Sequence, residues 1–278
     1  MTVRVASLAV AVVLVACDEE ATRPEPGPEG AAETTRSAEA PAAEAPLPEA
    51  TQAERLARNV FRAAGGEALA HVGELRFTFV VEDSGARVFE AEHRWDRLAD
   101  RDRVTYTDRE GRAVDAIVDL GARIACGTVG GEIAAGEAQQ TLSEQAYGRW
   151  VNDAYWLMMP VKVLDPGVRH AVGEPREHDG ARYQVLELSF DGVGLTPGDR
   201  YTLFVDPGSN RVVRWEMQLE GQDGEPRGMS WADYREIGPL VLALDHATDD
   251  GSRHVRFEDV EVLASPSPDH FAVEGCPQ

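Results

Sequence analysis

The side chains best suited to chemistry in this sequence are three cysteines, seven histidines and 49 acids. The histidines are scattered, and none stands at a metal-ligating spacing such as His-Glu-x-x-His. His93 falls on the apolar face of an alternating segment, where a hydrogen-bonded core histidine is favoured over a ligand. Ser230, within Gly228-Met229-Ser230-Trp231-Ala232, lacks the second glycine of a nucleophile elbow and reads as strand. Neither a Ser-x-x-Lys pair nor a phosphate-cradling glycine loop is present. Asp245, Asp249, Asp250, Glu258 and Asp259 could gather around calcium, yet Asp249-Asp250-Gly251 is hairpin chemistry and charged strand faces are usually solvated. The sequence singles out no catalytic residue, no metal and no cofactor. A hydrolase is the weakest of three readings.

The cysteines say more. Met1 to Val5 carries one charge, Arg4, ahead of an apolar run from Ala6 to Ala16. That run is shorter than the roughly 17 residues a permanent membrane helix needs, and it suits a secretory signal. It ends in Leu14-Val15-Ala16-Cys17, which resembles the lipobox of bacterial lipoproteins. The resemblance implies that residues 1–16 are a signal peptide and that Cys17 carries lipid. Cys126 and Cys276 remain. An exported compartment permits disulfides, and an even count fits one bridge across a loop of about 150 residues. Two unpaired buried thiols are the alternative.

Residues 17–50 are dominated by Ala, Glu and Pro. Such composition cannot bury enough apolar surface to offset chain entropy, and it reads as a disordered, extended tether. Residues 51–278 are long enough for one sizeable core. A net charge of −22 argues against nucleic acid and against lying on anionic headgroups. The expected membrane contact is through the lipid on Cys17, with the domain in the cell envelope facing the periplasm; membrane and oligomeric state stay open.

Thr51-Gln52-Ala53-Glu54 is a capping box. Ala53, Leu56, Ala57, Val60, Phe61 and Ala64 recur at helical spacing until Gly65-Gly66 stops the helix. Period-two alternation follows: Leu75, Phe77, Phe79 and Val81, then Phe89, Ala91, His93 and Trp95. Shorter strands are expected at 103–107, 114–119 and 123–126. A second helix is expected to begin at the capping box Thr141-Leu142-Ser143-Glu144 and to close at Pro160, with Tyr147, Trp150, Val151, Ala154, Tyr155 and Met158 on one face. Strands resume at 168–172, 182–190, 200–206, 211–219, 228–237, 240–246 and 253–263. Connections this short permit only antiparallel neighbours. The fold class is α+β: a curved antiparallel sheet, a half-open barrel of roughly ten or eleven strands under a few helices.

Gly65-Gly66, the Leu75-x-Phe77-x-Phe79 strand and the curled sheet are similar to the LolA/LolB-like superfamily of outer-membrane lipoprotein sorting. Trp150-Val151-Asn152-Asp153-Ala154-Tyr155-Trp156-Leu157-Met158-Met159-Pro160, with Lys162 and Asp165-Pro166-Gly167-Val168, looks like a signature of uncharacterised families near it. Leu195-Thr196-Pro197-Gly198-Asp199 and Phe204-Val205-Asp206-Pro207 fit the same picture. The resemblance implies a concave apolar face that binds a lipid or the acyl chain of another lipoprotein. Phe77, Phe79, Trp95, Trp150, Tyr155, Met158, Met159, Trp215, Met217 and Trp231 are the residues expected to line it. The alternative is that these side chains fill their own interior, leaving a structural or partner-binding lipoprotein. A carrier needs greasy volume that its own residues do not occupy.

Overall fold

The computed structural model describes residues 51–192, 195–222 and 224–276. Residues 1–50, which hold the expected signal peptide, Cys17 and the expected tether, lie outside the described residues.

Helix α1 (Gln52–Ala63) starts at the capping box: the Glu54 amide donates to Thr51 Oγ1 (3.2 Å) and the Thr51 amide to Glu54 Oε2 (2.8 Å). It ends where Gly65 takes a φ of 78°, a conformation that favours glycine. A side chain at Gly65 would also meet the Pro239 carbonyl at 2.3 Å, so glycine lets the helix end dock against a neighbouring hairpin turn. The Val241 amide, donating to the Ala64 carbonyl, fixes that contact.

Fourteen strands are described. β1 (Glu74–Asp83), β2 (Ala86–Asp96), β3 (Arg101–Thr107), β4 (Ala113–Asp119), β5 (Ile124–Val129) and β6 (Glu132–Ile133) run as a meander. Helix α2 (Glu137–Lys162) follows, then β7 (Val168–His178), β8 (Ala181–Phe190), β9 (Arg200–Val205), β10 (Val212–Gln218) and β11 (Arg227–Ser230). β12 (Ala232–Ile237), β13 (Leu240–Ala247) and β14 (Arg253–Leu263) complete the chain of strands. All the pairings are antiparallel.

They form two sheets rather than one meander. The nine-stranded sheet has the order β12-β13-β14-β1-β2-β3-β4-β5-β6, and the five-stranded sheet β11-β10-β9-β8-β7. The division falls inside the segment that alternation alone reads as one strand, 228–237. Met229 and its neighbours pair with β10, whereas Ala232 pairs with Asp245 of β13. Trp231 is the crossing residue, its amide donating to the Val213 carbonyl at 2.8 Å. The first strand pairs with the last, Glu74 opposite Leu263, so both ends of the domain meet mid-sheet.

α2 departs from the sequence expectation at both ends. It begins at Glu137 after Gly136, which has a φ of 58° and gives no side-chain cap. The Thr141–Glu144 box lies inside the helix. There Ser143 Oγ accepts from the Ala125 amide (2.9 Å) and donates to the Gln139 carbonyl (2.8 Å), a tertiary use that outweighs capping. Pro160 is also internal, and the helix runs on to Lys162 because Val161 and Val163 are buried beneath it. At 26 residues α2 is about 39 Å long. Its first half buries one face. Leu157 to Val161 is buried without a break, which requires neighbours on every side.

Cys126 on β5 and Cys276 near the C-terminus are disulfide-bonded, 150 residues apart. The bridge, with Arg101 over the Phe271 ring (4.6 Å) and Arg103 donating to the His270 carbonyl (3.2 Å), straps the C-terminal segment to the sheet. Closing so long a loop restricts the unfolded chain. Replacing both cysteines by serine is expected to lower stability by about 2–5 kcal/mol, read from urea denaturation.

Candidate functional site beneath helix α2

All ten residues expected to line an apolar space belong to one hydrophobic cluster between α2 and the two sheets. Phe77, Phe79, Met158, Met159, Trp215 and Trp231 are buried; Trp95, Trp150, Tyr155 and Met217 are half-buried against them. Their side chains pack ring to ring. Trp215 lies 4.6 Å from Trp156 and 5.4 Å from Trp231, Trp95 lies 5.4 Å from Trp150, and Phe77 and Phe79 both meet Phe257 edge-on. In this conformation the side chains themselves occupy the space. Two clefts, of about 350 and 360 Å³, lie on the opposite, outer face of the five-stranded sheet around Arg169, Ser189 and Arg200.

Within this apolar cluster are two polar positions that hydrophobic patterning does not announce. The first is under the middle of α2. His93 on β2 is fully buried, its Nδ1 2.8 Å from Asp102 Oδ2 on β3 and its Nε2 3.1 Å from Asp153 Oδ2 on α2. Carboxylates only accept, so both ring nitrogens donate and the ring is an imidazolium. Burial alone would hold His93 down, but the two carboxylates outweigh it and push it up to about 9. Burial also raises the Asp102 carboxyl. Phe77 stacks on the imidazolium at 4.8 Å, Arg149 approaches Asp153 at 3.8 Å, and the Asn152 amide donates to Asp153 (2.7 Å). Two cations face two anions, which leaves the buried group near neutral.

The signal for this network was in the sequence. Asp102 shares the strand face of Val104 and Tyr106, and Asp153 falls on the helix face of Ala146, Trp150 and Leu157. Both are acids where the pattern calls for an apolar residue.

The second polar position is where α2 and both sheets meet. His246 (β13), Trp231 (the crossing residue) and Trp215 (β10) are buried, with ring centroids 4.3 Å apart for Trp231 and His246. Trp156 of α2 covers them, 5.6 Å from His246. Burial holds His246 down at about 3, so it is uncharged. Among the described residues, His246 Nε2 and the indole nitrogens of Trp215 and Trp231 have no hydrogen-bond partner. The same is true further along α2 for the indole nitrogens of Trp95 and Trp150, Tyr106 Oη and Asp102 Oδ1.

Of the five acids that could gather around calcium, four have other partners, Glu258 accepting from Arg87 (2.7 Å). Asp249 pairs with Arg214, Asp250 accepts from Thr248 (2.7 Å) and Ser252, and Asp245 meets His254 and Arg256. The Ser230 hydroxyl accepts from the Ala247 amide (2.9 Å) in a structural role.

No protein-family model matches the chain, and no curated protein is detectably similar to it. Among solved structures, the chain is similar to a LolA superfamily protein from Nitrosomonas europaea, at 11% identity and a TM-score of 0.46 over 77% of this chain and 96% of that one. It is also similar to a DUF1329 family protein from Desulfovibrio piger, at 9% identity and a TM-score of 0.41 over 79% and 97% of the two chains. A third is the lipoprotein LppX of Mycobacterium tuberculosis, at 11% identity and a TM-score of 0.31 over 74% and 95%.

The imidazolium sets a pH dependence. Its proton is held more tightly in the folded state than at the ordinary value of 6.5, so its contribution is complete below about 6.5 and is lost as pH rises through about 9. Urea midpoints are expected to fall between about pH 6 and pH 10, and His93→Gln to flatten that decline. Asp153→Ala, which strands the buried cation with one partner, is expected to cost about 3–5 kcal/mol at neutral pH.

Proposed function

We propose that this chain is a lipoprotein of the bacterial envelope, anchored through Cys17, that takes an acyl chain between α2 and the two sheets. The observation that carries the reading is the row of buried polar atoms beneath α2 without partners among the described residues. A core complete in itself pairs such groups, and each one left unpaired costs about 1–3 kcal/mol. Their concentration under a single helix marks an interior suited to receiving something more.

The chemistry of the lining agrees. An acyl chain offers almost no hydrogen bonds, so its receptor needs apolar, adaptable walls. Met158 and Met159 supply adaptability, and the aromatic rings supply area. A sixteen-carbon chain contributes roughly 10 kcal/mol gross on burial. The side chains that α2 buries at Leu157, Met158, Met159 and Val161 are together worth about 6–12 kcal/mol. The exchange is close to even. Uptake therefore works by substitution, with α2 lifting as the ligand replaces its contacts. The Leu14-Val15-Ala16-Cys17 pattern and the acidic tether support an anchored domain held clear of the membrane surface.

A second reading has its own support. The ring-to-ring packing of the interior favours a lipoprotein with a filled core that acts by binding a partner protein. The two are separated by the full chain carrying Cys17→Ser, extracted with organic solvent and titrated with the neutral fluorescent probe N-phenylnaphthylamine. Copurified acyl lipid and saturable probe binding with tryptophan quenching are the expected results. Absence of both leaves the filled-core reading.

A further inference from the structure

The polar position at the junction of α2 with both sheets has a definite hydrogen-bonding character. His246 Nδ1 lies 3.3 Å from the Ser230 carbonyl, which can only accept, so Nδ1 carries the proton. The ring is neutral, which makes Nε2 a free lone pair, an acceptor. Trp215 and Trp231 present N–H groups, which are donors only. The junction thus offers two donors and one acceptor on rings in mutual contact, each ring nine-tenths or more buried. Among the described residues, the charged neighbours of these rings are turned away from them by alternation: Arg214 and Glu216 flank Trp215 on β10, where Arg214 pairs with Asp249, and Asp245 flanks His246 on β13, where it pairs with His254 and Arg256.

We infer that the Trp215–Trp231–His246 junction is the seat for the uncharged oxygen groups of a hydroxylated acyl ester: the ester carbonyl accepts from the indoles and a hydroxyl donates to His246 Nε2. The inference rests on the acyl-binding reading above and adds the class of lipid. A plain hydrocarbon leaves all three nitrogens unpaired. A fatty-acid anion brings a charge into a site without a cation, which burial penalises. A monoacylglycerol-type ester satisfies donors and acceptor together. Trp156 is the side chain that gives way, since it is the α2 residue in ring contact with both Trp215 and His246 and is only half-buried.

The test uses the ¹⁵N-labelled full chain carrying Cys17→Ser, with the indole N–H resonances of Trp215 and Trp231 assigned through Trp215→Phe and Trp231→Phe. Monolaurin, laurate and dodecane, three probes with the same chain length, are added separately. Monolaurin is expected to move both indole protons downfield and to bind about tenfold more tightly than dodecane or laurate, the worth of one or two buried hydrogen bonds. Trp231→Phe is expected to erase most of that preference, bringing the ratio of monolaurin to dodecane affinity close to one. Equal binding of monolaurin and dodecane with the indole resonances unmoved overturns the seat and leaves the acyl-binding reading standing. Indole resonances already at a hydrogen-bonded position and indifferent to monolaurin also overturn it, because water then occupies the junction. Binding of none of the three overturns both readings. The resonance shift is read in the unsubstituted interior, so the result does not hang on the folding of a variant.

Discussion

A histidine cation enclosed by protein is tolerable only where anions meet it on more than one side, and His93 has them from a strand and from a helix. That requirement organises the domain. Asp102 comes from β3 and Asp153 from α2, so the imidazolium is satisfied only when the helix lies in one register on the sheet. Apolar contacts are non-directional and would let α2 slide or rotate at modest cost. The charged contact has a direction, and a slip by one residue would turn Asp153 away. Hydrophobic burial supplies most of the attraction; the ion group selects the alignment.

Much of the fold was legible because its elements obey local rules. The Thr51 box and Gly65 delimit α1 as written, and the alternation of Leu75, Phe77 and Phe79 places β1 with the right face inward. The departures from the local pattern have separate causes. The start of α2 was hidden because Gly136 offers no capping side chain, while Ser143 looks like a cap but serves β5. β7 was cut at Val172 because Pro175 interrupts the pattern. The strand continues to His178 since it is an edge strand that absorbs the proline in a bulge between Gly173 and Arg176. The change of sheet at Trp231 has no periodicity signature, because both halves of 228–237 are extended.

The hydrophobic cluster was legible in the sequence and the polar groups within it were obscure. Aromatic and methionine residues announce a hydrophobic surface whatever its purpose, and all ten that were singled out converge. The polar atoms among them carry more information, since unlike a buried leucine they demand a complement. Asp102 and Asp153 found theirs in His93. The indoles of Trp215 and Trp231 and Nε2 of His246 did not find theirs within the described chain. Composition cannot reveal that difference, which exists only once strands from two sheets and one helix are brought to the same point.

The pairing of β1 with β14 carries a kinetic consequence. Glu74 faces Leu263 across the middle of the larger sheet, so β1 lacks one neighbour until nearly the whole chain has emerged. Contacts this distant in sequence mean a high contact order and slow folding. During synthesis, which proceeds from the N-terminus, β1 to β6 would present an open hydrogen-bonding edge at β1 while about 130 residues beyond β6 are made. Such an intermediate is prone to pairing with other chains, and a holding chaperone would find its substrate there.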